Sequence, residues 1–162
     1  MAKIDAFGIR CPFKKTVEIA AKGKEVSGTG NRHLNRLRIC SLDSAVEILT
    51  GKTTQLKRCK NFDELHQILT RLVIGIPGIG TVYCYDVALR IGVANGFLPE
   101  KVFLPSTPVR NAAHELNLEI NDDKTINFGT LRLPLKKLKP YVVEDFLCIF
   151  EKKLKSKMNQ NK

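Results

Sequence analysis

Residues 71–92 read RLVIGIPGIGTVYCYDVALRIG, with three glycines and a proline gathered in GIPGIG at 75–80. Before this junction Phe62, Leu65, Ile68, Leu69 and Leu72 recur at steps of three and four; after it Cys84, Val87, Ala88 and Ile91 follow at i, i+3, i+4 and i+7. Each run is the apolar face of one helix. A connection this short makes the two helices antiparallel neighbours. Asn61 and Glu64 supply a capping-box-like start for the first. In the turn, Gly78 and Gly80 lack a Cβ and admit φ > 0 or the close approach of another backbone. Ile79 between them points inward to the core of the pair, and Pro77 fixes one dihedral. A helix opens immediately afterwards, so the amides near Gly80, Thr81 and Val82 lack intrahelical acceptors. Backed by the positive end of the helix dipole, such N–H groups suit a phosphate oxygen.

Most of the remaining chain also carries helical spacing. Phe13, Val17, Ala20 and Ala21 form one stripe, stopped by Gly23. GKEVSGTGN at 23–31 reads as a loop, and NRHLNRLRI at 31–39 as a short basic helix. Ser41 is placed to cap a helix whose face is Leu42, Ala45, Val46 and Leu49, ending at Gly51. The polar stretch 51–61 is a connector. Thr107-Pro108 has the cap-then-proline order of a helix start, carrying to about Asn117. NDDKTINFG at 121–129 is the one non-helical stretch with β-type residues and predicts at most one small β-hairpin near 119–128. Val143, Phe146, Leu147, Phe150 and Leu154 mark a last helix. The expected fold is mainly α: a compact helical domain over 1–157, with a flexible basic tail at 158–162.

At 162 residues the chain is long enough for one continuous core. Its opening lacks the apolar run of a secretory signal, and no window reaches the ~18 apolar residues of a membrane helix. Five singly placed cysteines without a CxxC pair read as reduced thiols, which predicts a cytoplasmic protein with no membrane partner. Cys59 and His66 lack a recognised zinc spacing and read as isolated side chains. The net charge is +11, which favours a polyanionic partner or a strongly solvated surface. Residues 1–60 hold thirteen Lys/Arg against five Asp/Glu, 61–134 six against eight, and 135–162 eight against three. The junction thus lies in a near-neutral middle, and an anion bound there is held chiefly by backbone.

Gly75-Ile76-Pro77-Gly78-Ile79-Gly80, set between these two helices, resembles the helix-hairpin-helix motif of DNA polymerases, ligases, glycosylases and junction-binding proteins. The resemblance covers about 62–91 and leaves the rest of the chain unplaced. It implies contact with the DNA backbone, without sequence preference, through amides at Gly78, Gly80 and the residues just after. It also implies a monovalent cation, Na+ or K+, at the carbonyls of Ile74, Ile76 and Ile79. The chain departs from the motif after Gly80, where relatives often carry Pro or Lys and this sequence has Thr81, Val82 and Tyr83. The Schiff-base lysine of one enzyme branch is replaced by Val82, which argues against glycosylase chemistry.

The expected DNA-binding set is therefore Gly78, Ile79, Gly80, Thr81, Val82 and Tyr83, joined by Arg32, Arg36, Lys57 and Arg58 from the basic 31–60 region. Arg32 and Arg36 share a helix face at i, i+4, with Arg38, Lys52 and Lys60 nearby; the same charges also read as a solvated face. Six to ten phosphate contacts would cost roughly three to five decades of affinity over a fourfold rise in salt. Tyr83 and Tyr85 have rings that stack on bases or pack in the core. Asp86 and Glu100 read as solvated charges without a catalytic partner, and Asp122-Asp123 as a turn pair. The expected function is DNA binding without catalysis. The rival reading is a protein-interaction module whose hairpin is only a turn, and a third is an unrecognised nuclease or glycosylase relative.

Overall fold

The structure of the chain, a computed structural model, describes residues 11–23 and 37–160. It is mainly α, with seven α-helices and one two-stranded antiparallel sheet among the described residues. Where the length admits one continuous core, the chain divides into two compact units, Met1–Leu98 and Pro99–Lys162.

The first unit contains α1 (Phe13–Ala21), α2 (Ile39–Gly51), α3 (Thr53–Lys57), α4 (Phe62–Val73) and α5 (Thr81–Asn95). α5 is its centre. Tyr83, Cys84, Tyr85, Val87, Ala88, Ile91 and Gly92 are all buried, more than one stripe supplies, because α5 packs against both α4 and α1. Phe62 and Leu65, at the start of α4, face Gly92 near the end of α5, so the pair is antiparallel as the spacing requires. α4 begins as read: Asn61 Oδ1 accepts the Glu64 amide at 2.9 Å. Glu64 reaches one residue beyond the cap, accepting the Lys60 amide at 2.8 Å. Left-handed Gly96 closes α5, its amide donating to Val93 and the Phe97 amide to Gly92, the Schellman arrangement.

Three local expectations shift. The connector at 51–61 contains a helical turn, α3, anchored by fully buried Leu56. α2 starts at Ile39 after an extended Arg38 that makes no side-chain cap, so Ser41 lies inside the first turn and is not its cap. Of the basic helix expected over 31–39, residues 31–36 lie outside the described residues, and Leu37 and Arg38 precede α2 without being helical.

The second unit holds β1 (Val102–Phe103), α6 (Thr107–Glu115), β2 (Thr125–Ile126) and α7 (Pro140–Gln160). Its core is formed by Val102, Leu104, Val109, Ala112, Ile126, Val143 and Leu147 with their neighbours. β2 falls inside the expected β stretch, but its partner is β1 across α6, with Val102 opposite Ile126 and Phe103 opposite Thr125. The small sheet is therefore non-local and not a hairpin of 119–128. Ser106, one residue earlier than read, caps α6 by accepting the Val109 amide, and left-handed Asn117 follows its end. α7 runs through Gln160, three residues into the expected tail.

Two measurements check this architecture. A methyl on Gly92 would stand 2.8 Å from the Phe97 carbonyl oxygen and 3.2 Å from Phe62 Cδ2. Gly92→Ala should therefore lower stability by about 1–3 kcal/mol despite its better helix propensity, read as a fall in denaturation midpoint. Glu18 accepts hydrogen bonds from Lys22 and Lys15, each at 2.9 Å, which hold its carboxyl near 2 against an ordinary 4.5. A carboxylate depressed in the folded state gives stability that is present above its unfolded value and lost as pH falls. Between pH 4.5 and 2 the wild type should lose stability more steeply than Glu18→Gln in acid unfolding titrations; equal slopes would refute the assignment.

Candidate nucleic-acid interface

The junction folds as a turn closed at both ends. The Ile74 amide continues the helical ladder to Thr70, and the Ile76 amide returns to Val73. The Ile79 amide donates to the Ile76 carbonyl at 3.0 Å, spanning Pro77 and Gly78. Gly78 sits at φ +85°. Proline second and a left-handed glycine third is the signature of a type II turn. The Ile79 side chain is 6% exposed and anchors the turn in the core. From α2, Ser41 Oγ donates to the Pro77 carbonyl at 2.7 Å, a contact between residues 36 positions apart. The second helix thus holds the outer edge of the turn while Ile79 holds the inner.

Gly80 precedes α5 in an extended conformation, φ −127° and ψ −176°, which any residue adopts. A Cβ built there meets nothing within 4 Å. Gly78, Gly80 and Thr81 are exposed and Val82 is half-buried. Among the described residues no hydrogen bond takes up the amides of Gly78, Gly80 or Val82, whereas those of Ile76, Ile79 and Cys84 are all committed. Among the described residues the tip therefore presents main-chain donors to solvent, with no side chain within 4 Å of a Cβ on Gly80 and only Leu37 near one on Gly78.

Four of the expected contacts, Gly78, Gly80, Thr81 and Val82, come together at this tip. Two do not serve as read. The Ile79 amide is spent on the turn and its side chain on the core. Tyr83 is 2% exposed and its hydroxyl donates to the Ala21 carbonyl at 2.9 Å, tying α5 to α1; burial pushes its phenol well above the ordinary value. Tyr85 is also buried, edge-on to Phe62 with ring centres 6.1 Å apart. Neither ring reaches a base. Arg32 and Arg36 lie outside the described residues. Lys57 and Arg58 are exposed at the end of α3 and share a cleft with Phe13 and Lys14 at the start of α1.

The segment that carries Arg38 runs past the turn. Arg38 is exposed and follows Leu37, whose Cδ2 would lie 3.9 Å from a Cβ on Gly78. The sequence shows Arg38 as one charge among several; its place follows from Ser41, three residues on, being pinned to Pro77. For the expected cation, the Ile76 carbonyl already accepts the Ile79 amide, while those of Ile74 and Ile79 accept no hydrogen bond among the described residues. A carbonyl oxygen has two lone pairs, so the Ile79 hydrogen bond leaves the Ile76 oxygen one lone pair.

Elsewhere the described residues gather no group of three or more His, Cys, Asp or Glu. Cys59 is buried with its thiol toward the Gln55 carbonyl, and burial pushes that thiol and the one of Cys84 up. Periodicity alone does not reveal a cavity of about 500 Å³ in the second unit, walled by Leu116, Leu118, Ile126, Leu135 and Phe146. No described helix is long and apolar enough to cross a membrane. Set against family models, curated proteins and solved structures, the chain matches none.

The two tip glycines separate on stability. Gly78→Ala should cost about 1–2 kcal/mol, because a side chain must enter the left-handed region. Gly80→Ala should stay within about 0.5 kcal/mol, as for an open surface position. Ser41→Ala removes one hydrogen bond and should cost about 1 kcal/mol. Denaturant unfolding of the three variants reads this order, and a Gly80→Ala loss equal to that of Gly78→Ala would refute it.

Proposed function

We propose that the chain binds DNA without sequence preference, gripping phosphates with the main-chain amides of Gly78, Gly80 and Val82 at the hairpin tip. The observation that carries this reading is Gly80. Gly78 is demanded by the positive φ of the turn and Gly92 by the crowding around it; among the described residues no such demand falls on Gly51, Gly75 or Gly80. Of these three, Gly80 is the one whose own amide and that of Val82 two residues on take no hydrogen bond at the start of α5. A residue without a side chain there supplies no side-chain cap to α5 and lets an oxyanion approach the backbone closely. Exposed Arg38 follows Leu37, which lies against Gly78, and adds a full charge to this end of the unit. Residues 1–98 hold fifteen Lys/Arg against eight Asp/Glu, so long-range attraction also favours a polyanion. A monovalent cation at the carbonyls of Ile74, Ile76 and Ile79 belongs to the same reading and adds positive charge at the turn. We assign the chain no catalysis of its own.

The rival reading, a protein partner at the hairpin, is favoured by one observation. Ile39 and Ile74 are 78% and 45% exposed, one at the start of α2 and one at the end of α4, the two elements that hold the turn.

Fluorescence anisotropy with a random-sequence duplex separates the two. Binding should weaken as salt rises, with log K linear in log salt and a slope of about −0.9 per phosphate neutralised. Gly80→Val should weaken it by about tenfold, the loss of one charge-assisted hydrogen bond, with the circular dichroism spectrum unchanged. Replacing sodium or potassium by tetramethylammonium at constant ionic strength should weaken it further. No binding by the wild type at 50 mM salt would remove the DNA reading and leave the protein-partner one.

A further inference from the structure

Away from the tip, the first unit carries a second concentration of anion-binding groups. Phe13 and Lys14 of α1 meet Thr53, Thr54, Lys57 and Arg58 around a cleft of about 250 Å³. Thr53 with Lys57, and Thr54 with Arg58 at the C-cap of α3, are i, i+4 pairs, the spacing that makes side chains neighbours on a helix surface. The floor is rigid. Leu56 is fully buried and its carbonyl accepts Asn95 Nδ2 at 3.3 Å.

The charges in this cleft are not balanced from within. Glu18, the carboxylate one turn along from Lys14 on α1, is bridged by both Lys15 and Lys22 at 2.9 Å. Lys14, Lys57 and Arg58 have no carboxylate within ion-pair distance among the described residues. Three cations face a space whose other polar lining is two hydroxyls, able to donate to an oxyanion. Half-buried Phe13 adds an aromatic ring at the edge.

We propose that this cleft binds a phosphate monoester, with Lys14, Lys57 and Arg58 neutralising the dianion, Thr53 and Thr54 donating to its oxygens, and Phe13 stacking on a base where the ester is a nucleotide. A monoester carries ≈ −1.5 to −2 charge near neutral pH, against the single charge of a diester, and three convergent cations match the larger value. The cleft uses residues different from the hairpin tip, and it rests on the proposed DNA binding only in taking a strand end as one source of the ester. The other source is a free nucleotide.

The test titrates the full chain, labelled with nitrogen-15, with AMP, cyclic AMP and adenosine. AMP should shift amide signals at 13–14 and 53–58 and bind about tenfold more tightly than the diester or the nucleoside, the effect of added charge-assisted hydrogen bonds. Lys57→Ala with Arg58→Ala should remove about tenfold of the AMP affinity. Both residues are exposed, so the fold is kept, and Lys14→Ala gives an independent reading from the opposite wall. Equal binding of the three ligands, shifts centred elsewhere, or full AMP affinity in both variants would overturn the proposal. Duplexes with and without a 5′-phosphate then identify the source. A preference for the phosphorylated end that is lost in the double variant assigns a strand terminus, and equal duplex binding alongside retained AMP binding assigns a free nucleotide. Gly80→Val should leave AMP binding unchanged; if that variant also leaves duplex binding unchanged, the hairpin reading fails and the cleft stands.

Discussion

The hydrogen bond from Ser41 to the Pro77 carbonyl is the constraint on which the presentation of the hairpin depends. A turn between two helices is fixed on its inner side by core packing, and here Ile79 does that. Nothing in the turn itself fixes its outer side. Ser41 supplies that restraint from a third helix, and in doing so brings Leu37 and Arg38 alongside. The donors at Gly78, Gly80 and Val82 are then held by a framework of three helices. Pre-ordering of this kind lowers the entropic cost of meeting a ligand.

The glycines of the first unit divide by what demands them. Gly78 and Gly96 occupy left-handed backbone, where a side chain is strained. Gly92 has no room for a methyl, because the Phe97 carbonyl and the Phe62 ring close over it. These are explained by the chain alone. Gly51, Gly75 and Gly80 are not, their surroundings being open, and of these Gly80, with extended backbone, is the one that precedes α5. A position that the fold leaves free of constraint, next to uncommitted amides, is where a constraint from outside the chain acts most directly.

What was legible in the sequence was what depends on short spacing. The α4 and α5 stripes, the Asn61 cap, the Pro-Gly signature of the turn and the inward Ile79 are all local patterns, and they emerge where expected. Long-range pairings were not legible. Ser41 has the composition of a cap, and only the fold shows its hydroxyl directed at a carbonyl 36 residues on. Tyr83 was open between base stacking and core because its neighbours in sequence do not reveal that Ala21 offers a carbonyl. The strand at Thr125–Ile126 was visible, but its partner lies across α6, beyond the reach of a hairpin pattern. α3 was missed because five residues are too few for a periodic stripe. Within the candidate site, the backbone donors could be inferred and the supporting helix could not.

The two anion sites argued for the first unit differ in physical kind. At the hairpin the donors are peptide groups backed by a helix dipole equivalent to roughly half a charge, suited to a monoanionic diester that continues past the tip in both directions. In the α1–α3 cleft the donors are full charges on long side chains, without acidic partners among the described residues, where Glu18 is shared by Lys15 and Lys22. Main-chain donors hold their geometry but offer little net charge, whereas three clustered cations offer charge at the cost of mutual repulsion. That repulsion falls when a dianion enters, so the cleft favours the more highly charged phosphate. On the two proposals together, a chain with both arrangements would distinguish the middle of a nucleic-acid strand from a terminal phosphate by electrostatics alone, without reading a base edge.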